Sequence, residues 1–445
     1  MDYNAFKEAV IAKCAEMGLT EYELYYQNAE STSIDAFQHG INEFTCSTEG
    51  GVCFRCIVNG KMGYASTEEL SVQQAAAIVE KAADNAAVLE AEEQVFLCEG
   101  GQTYQEVEDR SYQLPGTEEI ISTVLSTQEK LYAANPAVID GCQTQGIAER
   151  SEIAIYNSKG LDLHSVTTIS GLIAVAVVTN GKEMANDFQV KLAKLDTIDT
   201  DALTQKAAAT ALLKLGGDVA PTGQYPVVFA PEAMSDLLRT FSSIFSSEAA
   251  QKGLSKLADK EGQTVASTVV TLVDDPFHKT NLSARNFDAE GSPTCCKNVI
   301  ENGEFKTLLY NLKTAAVAGK KTTGNAAKAG YAGAVGISPF TMYLAPGEMS
   351  EEALLEKAGE GVYINSLGGL HAGADPISGD FSLQSSGFMI REGKKAEYVK
   401  SFTVAGNFYE LLKNITDVAS NLEMPGMSSF GSPSVLVTGL SIAGK

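Results

Sequence analysis

The chain has 445 residues, 44% hydrophobic and 20% charged, which at roughly 150 residues per domain predicts two or three folded domains and excludes a fibrous or disordered chain. Its net charge of −23 opposes contact with phosphate backbones, where affinity rests on Lys and Arg releasing counterions, so direct nucleic-acid binding is not expected. Met1 to Val10 carries Asp2, Lys7 and Glu8 with no apolar run, and no stretch nears the roughly eighteen apolar residues of a membrane span. A cytoplasmic location follows as the expectation, with the eight cysteines as reduced thiols.

In chain order, Phe6, Val10, Ile11, Cys14 and Met17 fall at helical spacing over 4–17, and Gly18 is placed to end that helix. The period then changes to two. Strands are predicted at Glu21–Tyr26, Ser33–Phe37, Asn42–Cys46 and Gly51–Val58, with Asn59-Gly60 turning the chain into Met62–Ala65 as an antiparallel meander. Helices are predicted over 68–88 (opened by Ser66-Thr67), about 117–134 and about 200–215. Between the last two, strands are expected near 138–148, 151–157 and 161–180, the last broken by Asn180-Gly181.

Gly216–Gly223 is the best linker candidate, read as a linker over 218–223. Beyond it the sequence turns to glycine-rich strands and short loops, with another hairpin at Asn302-Gly303. The predicted fold class is α+β. An α/β N-terminal region, 1–217, divides into possible subdomains at about 1–90 and 112–217, and a β-rich C-terminal domain spans 224–445.

Few residues here suggest catalysis. His39, His164, His278 and His371 are isolated, and none opens a His-Glu-x-x-His helix, in which two imidazoles on one face hold zinc beside a glutamate base. Cys53 and Cys56 lie three apart on a predicted strand, so their thiols point to opposite faces, one expected buried and one outward. Cys295-Cys296 is read as incidental. Gly319–Asn325 lacks the first glycine of a phosphate loop, since Thr314 stands there. No G-x-S-x-G elbow occurs. The glycine-dense run from Gly368 to Gly387 permits positive φ and close backbone approach, which suits either tight turns or a docking strand.

These segments resemble the TldD/PmbA family in order and spacing across nearly the whole chain. The likeness runs through Gly51-Val-Cys-Phe-Arg55, Gly63–Thr67 and Leu70-Ser71 at the front. It continues through Phe287-Asp-x-Glu290-Gly-x-Pro293, Thr322–Asn325, Ser378–Ser382, Gly387-Phe388, Ala405–Asn407 and Gly431–Ser434. Asp375-Pro376 with Ser378 stands where family members more often have Asn-Pro and Thr.

The resemblance implies a TldD-type and a TldE-type subunit paired around a chamber that degrades or trims unfolded peptides. The TldD type carries a His-Glu-x-x-x-His helix after the first strand of the C-terminal domain and a cysteine ligand near the C-terminus. Here that strand corresponds to Tyr225–Ala230, and the degenerate motif is expected about Arg239, Thr240 and Ile244. The tail Met424–Phe430 has no cysteine. The chain is therefore similar to the metal-free TldE (PmbA) type, with no catalytic residue and no cofactor of its own, and zinc expected in a TldD-type partner.

The expected role is to supply chamber wall and peptide-binding edge. The candidate contacts are Thr322, Thr323, Gly324, Asn325, His371, Gly379, Asp380, Phe381, Ser382 and Gly387, gripping an extended peptide by strand addition. A homo-oligomeric, chaperone-like peptide binder without a protease partner is the alternative. The family's association with DNA gyrase modulation is read as indirect, through proteolysis of another protein.

Overall fold

The computed structural model describes residues 1–90 and 94–445, and its architecture is α+β. Six long strands form one antiparallel sheet in the N-terminal half: β1 (Tyr22–Phe37), β2 (Gly40–Val58), β3 (Lys61–Thr67), β4 (Gln143–Asn157), β5 (Asp162–Thr179) and β6 (Met184–Leu192). Their order is β3-β2-β1-β4-β5-β6, so the two predicted N-terminal subdomains share a single sheet.

Several predicted strands merge. Glu21–Tyr26 and Ser33–Phe37 are the two ends of β1, because the polar stretch between them keeps its ladder to both neighbours while its side chains are only partly covered. The later part of the segment at 138–148 merges likewise with 151–157 into β4, which begins at Gln143.

Period two then assigns the faces. Leu24, Ile34, Ala36, Phe54 and Cys56 point to one face, which is covered by four helices, α1 (Tyr3–Met17), α2 (Val72–Val88), α3 (Thr117–Ala133) and α4 (Thr200–Leu213). Helix α2 begins four residues later than expected, because Ser71 caps it by accepting from the Gln74 N–H, while Thr67 ends β3.

The opposite face carries Tyr25, Cys53, Ile153 and Ile155 and packs against Phe287, Ala289 and Ala326 of the C-terminal half. Cys53 and Cys56 do diverge, but both are buried. The expectation of one outward thiol fails because the second face of the sheet is covered as well.

In the C-terminal half the strands are β7 (Asp218–Val219), β8 (Gly223–Phe229), β9 (Leu272–Asp274), β10 (Lys297–Glu301), β11 (Glu304–Phe305), β12 (Ala326–Ala327), β13 (Gly336–Ile337) and β14 (Met342–Leu344). They continue with β15 (Gly361–Gly368), β16 (Asp380–Arg391), β17 (Lys394–Asn407), β18 (Ile415–Val418), β19 (Phe430–Gly431) and β20 (Val435–Ala443). Strand β20 pairs with both β8 and β17, closing β8-β15-β16-β17-β20 into a ring. A second sheet runs β11-β10-β9-β14-β19.

Between them the largest core holds Phe229, Phe241, Phe305, Phe402 and Phe408. The 218–223 segment is tied down: β7 pairs in parallel with β17, and the Lys445 N–H donates to the carbonyl of buried Ala220 at 3.0 Å. No helix among the described residues is long and apolar enough to cross a membrane.

Candidate functional site

The face of the N-terminal sheet turned toward the C-terminal domain carries charge at one end of its strands. Glu23 on β1, Arg55 on β2 and Asn157 on β4 share that face because each lies two residues from Tyr25, Cys53 or Ile155. Arg55 holds Glu23 Oε1 through Nε at 2.7 Å and Nη2 at 2.6 Å, and its Nη1 stands 3.7 Å from Glu290 Oε1. Asn157 Nδ2 donates to the second Glu23 oxygen at 3.3 Å. All four residues are buried, so the Arg55 guanidinium offsets part of the hydration that the two acids lose.

The Phe287–Pro293 motif is thus the plug that the C-terminal half inserts against this face. Its shape depends on Asp288. Asp288 Oδ1 accepts the N–H groups of Glu290 and Ser292, and Oδ2 accepts that of Ala326, each at 2.9 Å. Burial, and then the nearby Glu290, push the Asp288 carboxyl up to about 7, and burial also pushes Glu290 up.

A folded value above the unfolded one means that Asp288 contributes full stability below about pH 4, and that this contribution is lost as pH rises through its folded value. We therefore expect the stability of the wild type relative to Asp288→Asn to fall between about pH 4 and about pH 7 and to level off above that, measured by urea unfolding at each pH. A difference that stays constant across the range would refute this assignment.

Asp274 is a second buried organiser. It accepts from Lys297 Nζ at 3.1 Å, Asn325 Nδ2 at 2.8 Å and the Phe340 N–H at 2.7 Å. Around it the Thr322–Asn325 candidates make internal bonds. Thr322 Oγ1 donates to the Tyr310 carbonyl at 3.0 Å, Thr323 Oγ1 pairs with Asn325 Oδ1 at 2.8 Å, and Asn325 is fully buried. Gly324 has φ +68°, and a Cβ there would meet the Pro293 carbonyl oxygen at 2.2 Å.

The other candidates lie on a separate element. Gly379 closes a turn with its N–H on the Asp375 carbonyl, and Asp380 and Ser382 are exposed at the start of β16. Asp380 accepts from Asn407 Nδ2 at 2.7 Å, which holds its carboxyl below the usual range. Phe381 points inward, and a Cβ on Gly387 would meet the Tyr363 carbonyl oxygen at 1.8 Å, so that glycine serves the close approach of β15 and β16. His371 is exposed on the short helix Leu370–Gly373.

The remaining histidines bond locally, His39 with Glu129, His164 with Glu152 and His278 with Thr280, each at 2.8 Å. Among the described residues no three His, Cys, Asp or Glu side chains converge.

After β8 comes α5 (Pro231–Phe241). Its inward face is Ala233, Met234, Leu237, Leu238 and Phe241, all fully buried, with Phe241 stacked on Phe408 at 4.5 Å. Arg239 pairs outward with Asp236 at 2.8 Å, Thr240 ends the last turn, and Ile244 lies beyond the helix in a 3₁₀ turn of the core. Those three positions therefore do not share a helix face. Ser235 is buried as well, its Oγ donating to the Pro231 carbonyl at 2.6 Å, and none of these buried α5 side chains is an imidazole, carboxylate or thiolate, so a zinc ion does not fit there.

The tail segment 424–429 leads into β19, which packs on α5, and it also lines a cleft between the two halves. That cleft, about 640 Å³, lies between β1, β4, β5 and β6 of the N-terminal sheet and the segments 279–285, 326–328 and 338–341. Neither the buried charge chain nor this cleft was identified from the sequence. The available signal was Arg55, a charge within the otherwise apolar run Val52–Val58.

Comparison with known proteins agrees along the chain. The models of PmbA/TldA metallopeptidase domain 1, central domain and C-terminal domain match residues 22–86, 112–215 and 222–444. A solved Thermotoga maritima protein, described as a proposed modulator of a DNA gyrase, is 30% identical with a TM-score of 0.90, covering 99% of this chain and 100% of that one. TldE from Thermococcus kodakarensis shares the fold at a TM-score of 0.88 and 22% identity, over 99% of this chain and 100% of that one. A Methanothermobacter thermautotrophicus protein named metalloprotease is 28% identical over 311 residues, 66% of each chain. With all three domains matched in order and the fold shared end to end, this chain belongs to the PmbA/TldD metallopeptidase family.

Proposed function

We propose that this chain is a non-catalytic subunit of the TldE/PmbA type, acting in the cytoplasm with a TldD-type zinc metallopeptidase partner to process unfolded peptides. The observation that carries the reading is the inward face of α5, where Ala233, Met234, Leu237, Leu238 and Phe241 stand on the helix that follows the first C-terminal strand. Peptide hydrolysis by a metallopeptidase needs a polarised water, a general base and stabilisation of the developing oxyanion. The buried side chains of α5 include no imidazole or carboxylate to hold a metal or act as base, so the reading assigns those parts to the partner.

This chain then contributes walls and grip. Asp274 and Thr322–Asn325 brace the 338–341 wall of the cleft. His371, Asp380 and Ser382 are the exposed members of the second candidate segment and the ones free to meet a partner or peptide.

The test is zinc content and cleavage of an unstructured peptide by the untagged chain, by a TldD-type partner and by their mixture. We expect zinc far below one per chain, no cleavage by this chain alone and restored cleavage in the mixture. Stoichiometric zinc, or chelator-sensitive cleavage by this chain alone, would overturn the reading.

A further inference from the structure

The cleft between the sheet and the C-terminal domain has a charge opposite to that of the protein around it. The chain holds 56 acidic residues against 33 basic ones, yet no aspartate or glutamate lines this cleft among the described residues. Four cations do: Lys191 from β6, Lys279 and Arg285 from the segment between β9 and β10, and Lys328 just after β12. None of the four takes part in an ion pair with a described carboxylate.

Two of them rest on aromatic faces instead, Lys328 over Tyr25 at 4.5 Å and Arg285 over Phe287 at 5.5 Å. Arg285 Nε, Gln27 Oε1 and Thr341 Oγ1, all on lining residues, are buried without hydrogen-bond partners. Burial pushes both Lys328 and Arg285 below their ordinary values. Cations without a carboxylate in direct contact and unsatisfied polar atoms gathered on one cleft carry a desolvation cost that an anionic ligand would offset.

The cleft wall also says what carries the anion. Val190, Lys191 and Leu192 all line it, although side chains of consecutive strand residues point to opposite faces, so what they share toward the cleft is the strand edge. Strand β6 is the last in its sheet, so its outer edge has no strand partner. Such an edge accepts an extended backbone. Ile153 and Ile169 add apolar surface beside it.

We propose that this cleft binds the C-terminal end of an extended peptide, its carboxylate held among Lys191, Lys279, Arg285 and Lys328 and its backbone added to the edge of β6. The inference rests on the peptide-processing reading for the carrier of the anion, and on the cleft itself for the charge.

The test uses the full-length chain and an N-terminally labelled unstructured peptide with either a free or an amidated C-terminus, with binding read by fluorescence anisotropy. The double variant Lys191→Gln/Lys279→Gln changes two exposed side chains, and Lys328→Met probes the interior. We expect amidation or the double substitution to weaken binding by about tenfold or more, with amidation costing little further in the double variant.

Equal binding of acid and amide would overturn the proposal while leaving partner-dependent cleavage untouched. Binding of inorganic phosphate at these lysines without binding of the acid peptide would also overturn it, naming a phosphate ligand instead. Acid-selective binding by a chain that supports no cleavage in any mixture would uphold it and sink the processing reading.

Discussion

Replacing Arg55 by Met is expected to destabilise the chain by about 3–5 kcal/mol, read as the shift in urea unfolding at pH 7. The guanidinium is buried between Glu23 and Glu290, one from each half of the molecule. Removing it leaves two carboxylates near one another without a cation, in a place where water cannot replace the lost hydration. Burial already pushes Glu290 up, and Arg55 is the first opposing influence on it. In the variant one of the acids takes a proton at neutral pH, so the loss should shrink as pH falls toward the ordinary carboxylate range.

Arg55→Lys is expected to lie between the two, since a single ammonium cannot reproduce the contacts of Nε and Nη2 on Glu23 Oε1. Adding Glu23→Gln and Glu290→Gln to Arg55→Met should recover part of the loss by removing the stranded charges. A loss under about 1 kcal/mol for Arg55→Met would mean that the cluster is wet enough to behave as a surface pair, and that the Phe287–Pro293 plug is held by its apolar contacts alone.

The local elements of this protein were largely legible in its sequence, and what escaped was non-local. Asn59-Gly60 and Asn302-Gly303 do take positive φ in tight turns, because few other residue pairs reach that conformation without strain. Gly18 ends α1 in the left-handed region for the same reason. At Gln27–Thr32 the strand runs on beyond its apolar ends, since pairing to both neighbours continues although the side chains there are only partly buried or exposed.

Cys53 could be assigned a face but not a fate. Its burial depends on Phe287 and its neighbours, more than two hundred residues away, docking on that face. The same holds for Arg55, whose run of apolar neighbours marks it as unusual without naming Glu290. The cleft is further out of reach still, since its four cations come from β6, from the segment after β9 and from the end of β12, and no spacing rule links those segments. Within the glycine-dense run from Gly368 to Gly387, Gly379 serves a turn and Gly387 the close approach of β15 and β16.

That last point yields a prediction that separates scaffold from surface. Phe381→Ala is expected to cost about 3–5 kcal/mol of stability, measured by thermal or urea unfolding. Phe381 is buried, meets Phe241 edge-on at 6.2 Å, and Phe241 in turn stacks on Phe408 at 4.5 Å. The ring therefore couples β16 to α5, the helix on which the family's metal chemistry is expected in a catalytic subunit. Truncating it leaves a cavity that neither the closed strand ring nor the stacked pair can easily collapse to fill.

Asp380→Ala, one residue away but exposed and bonded chiefly to Asn407, should leave the unfolding midpoint near the wild-type value. The two variants then read different things. If Phe381→Ala lowers stability and peptide processing in the partnered assembly falls only with the folded fraction, this phenylalanine is core. If Asp380→Ala keeps its stability and still abolishes processing, the exposed rim of β16 touches peptide or partner. Full processing by Asp380→Ala would instead place the grip elsewhere, with the cationic cleft as the remaining surface built for it.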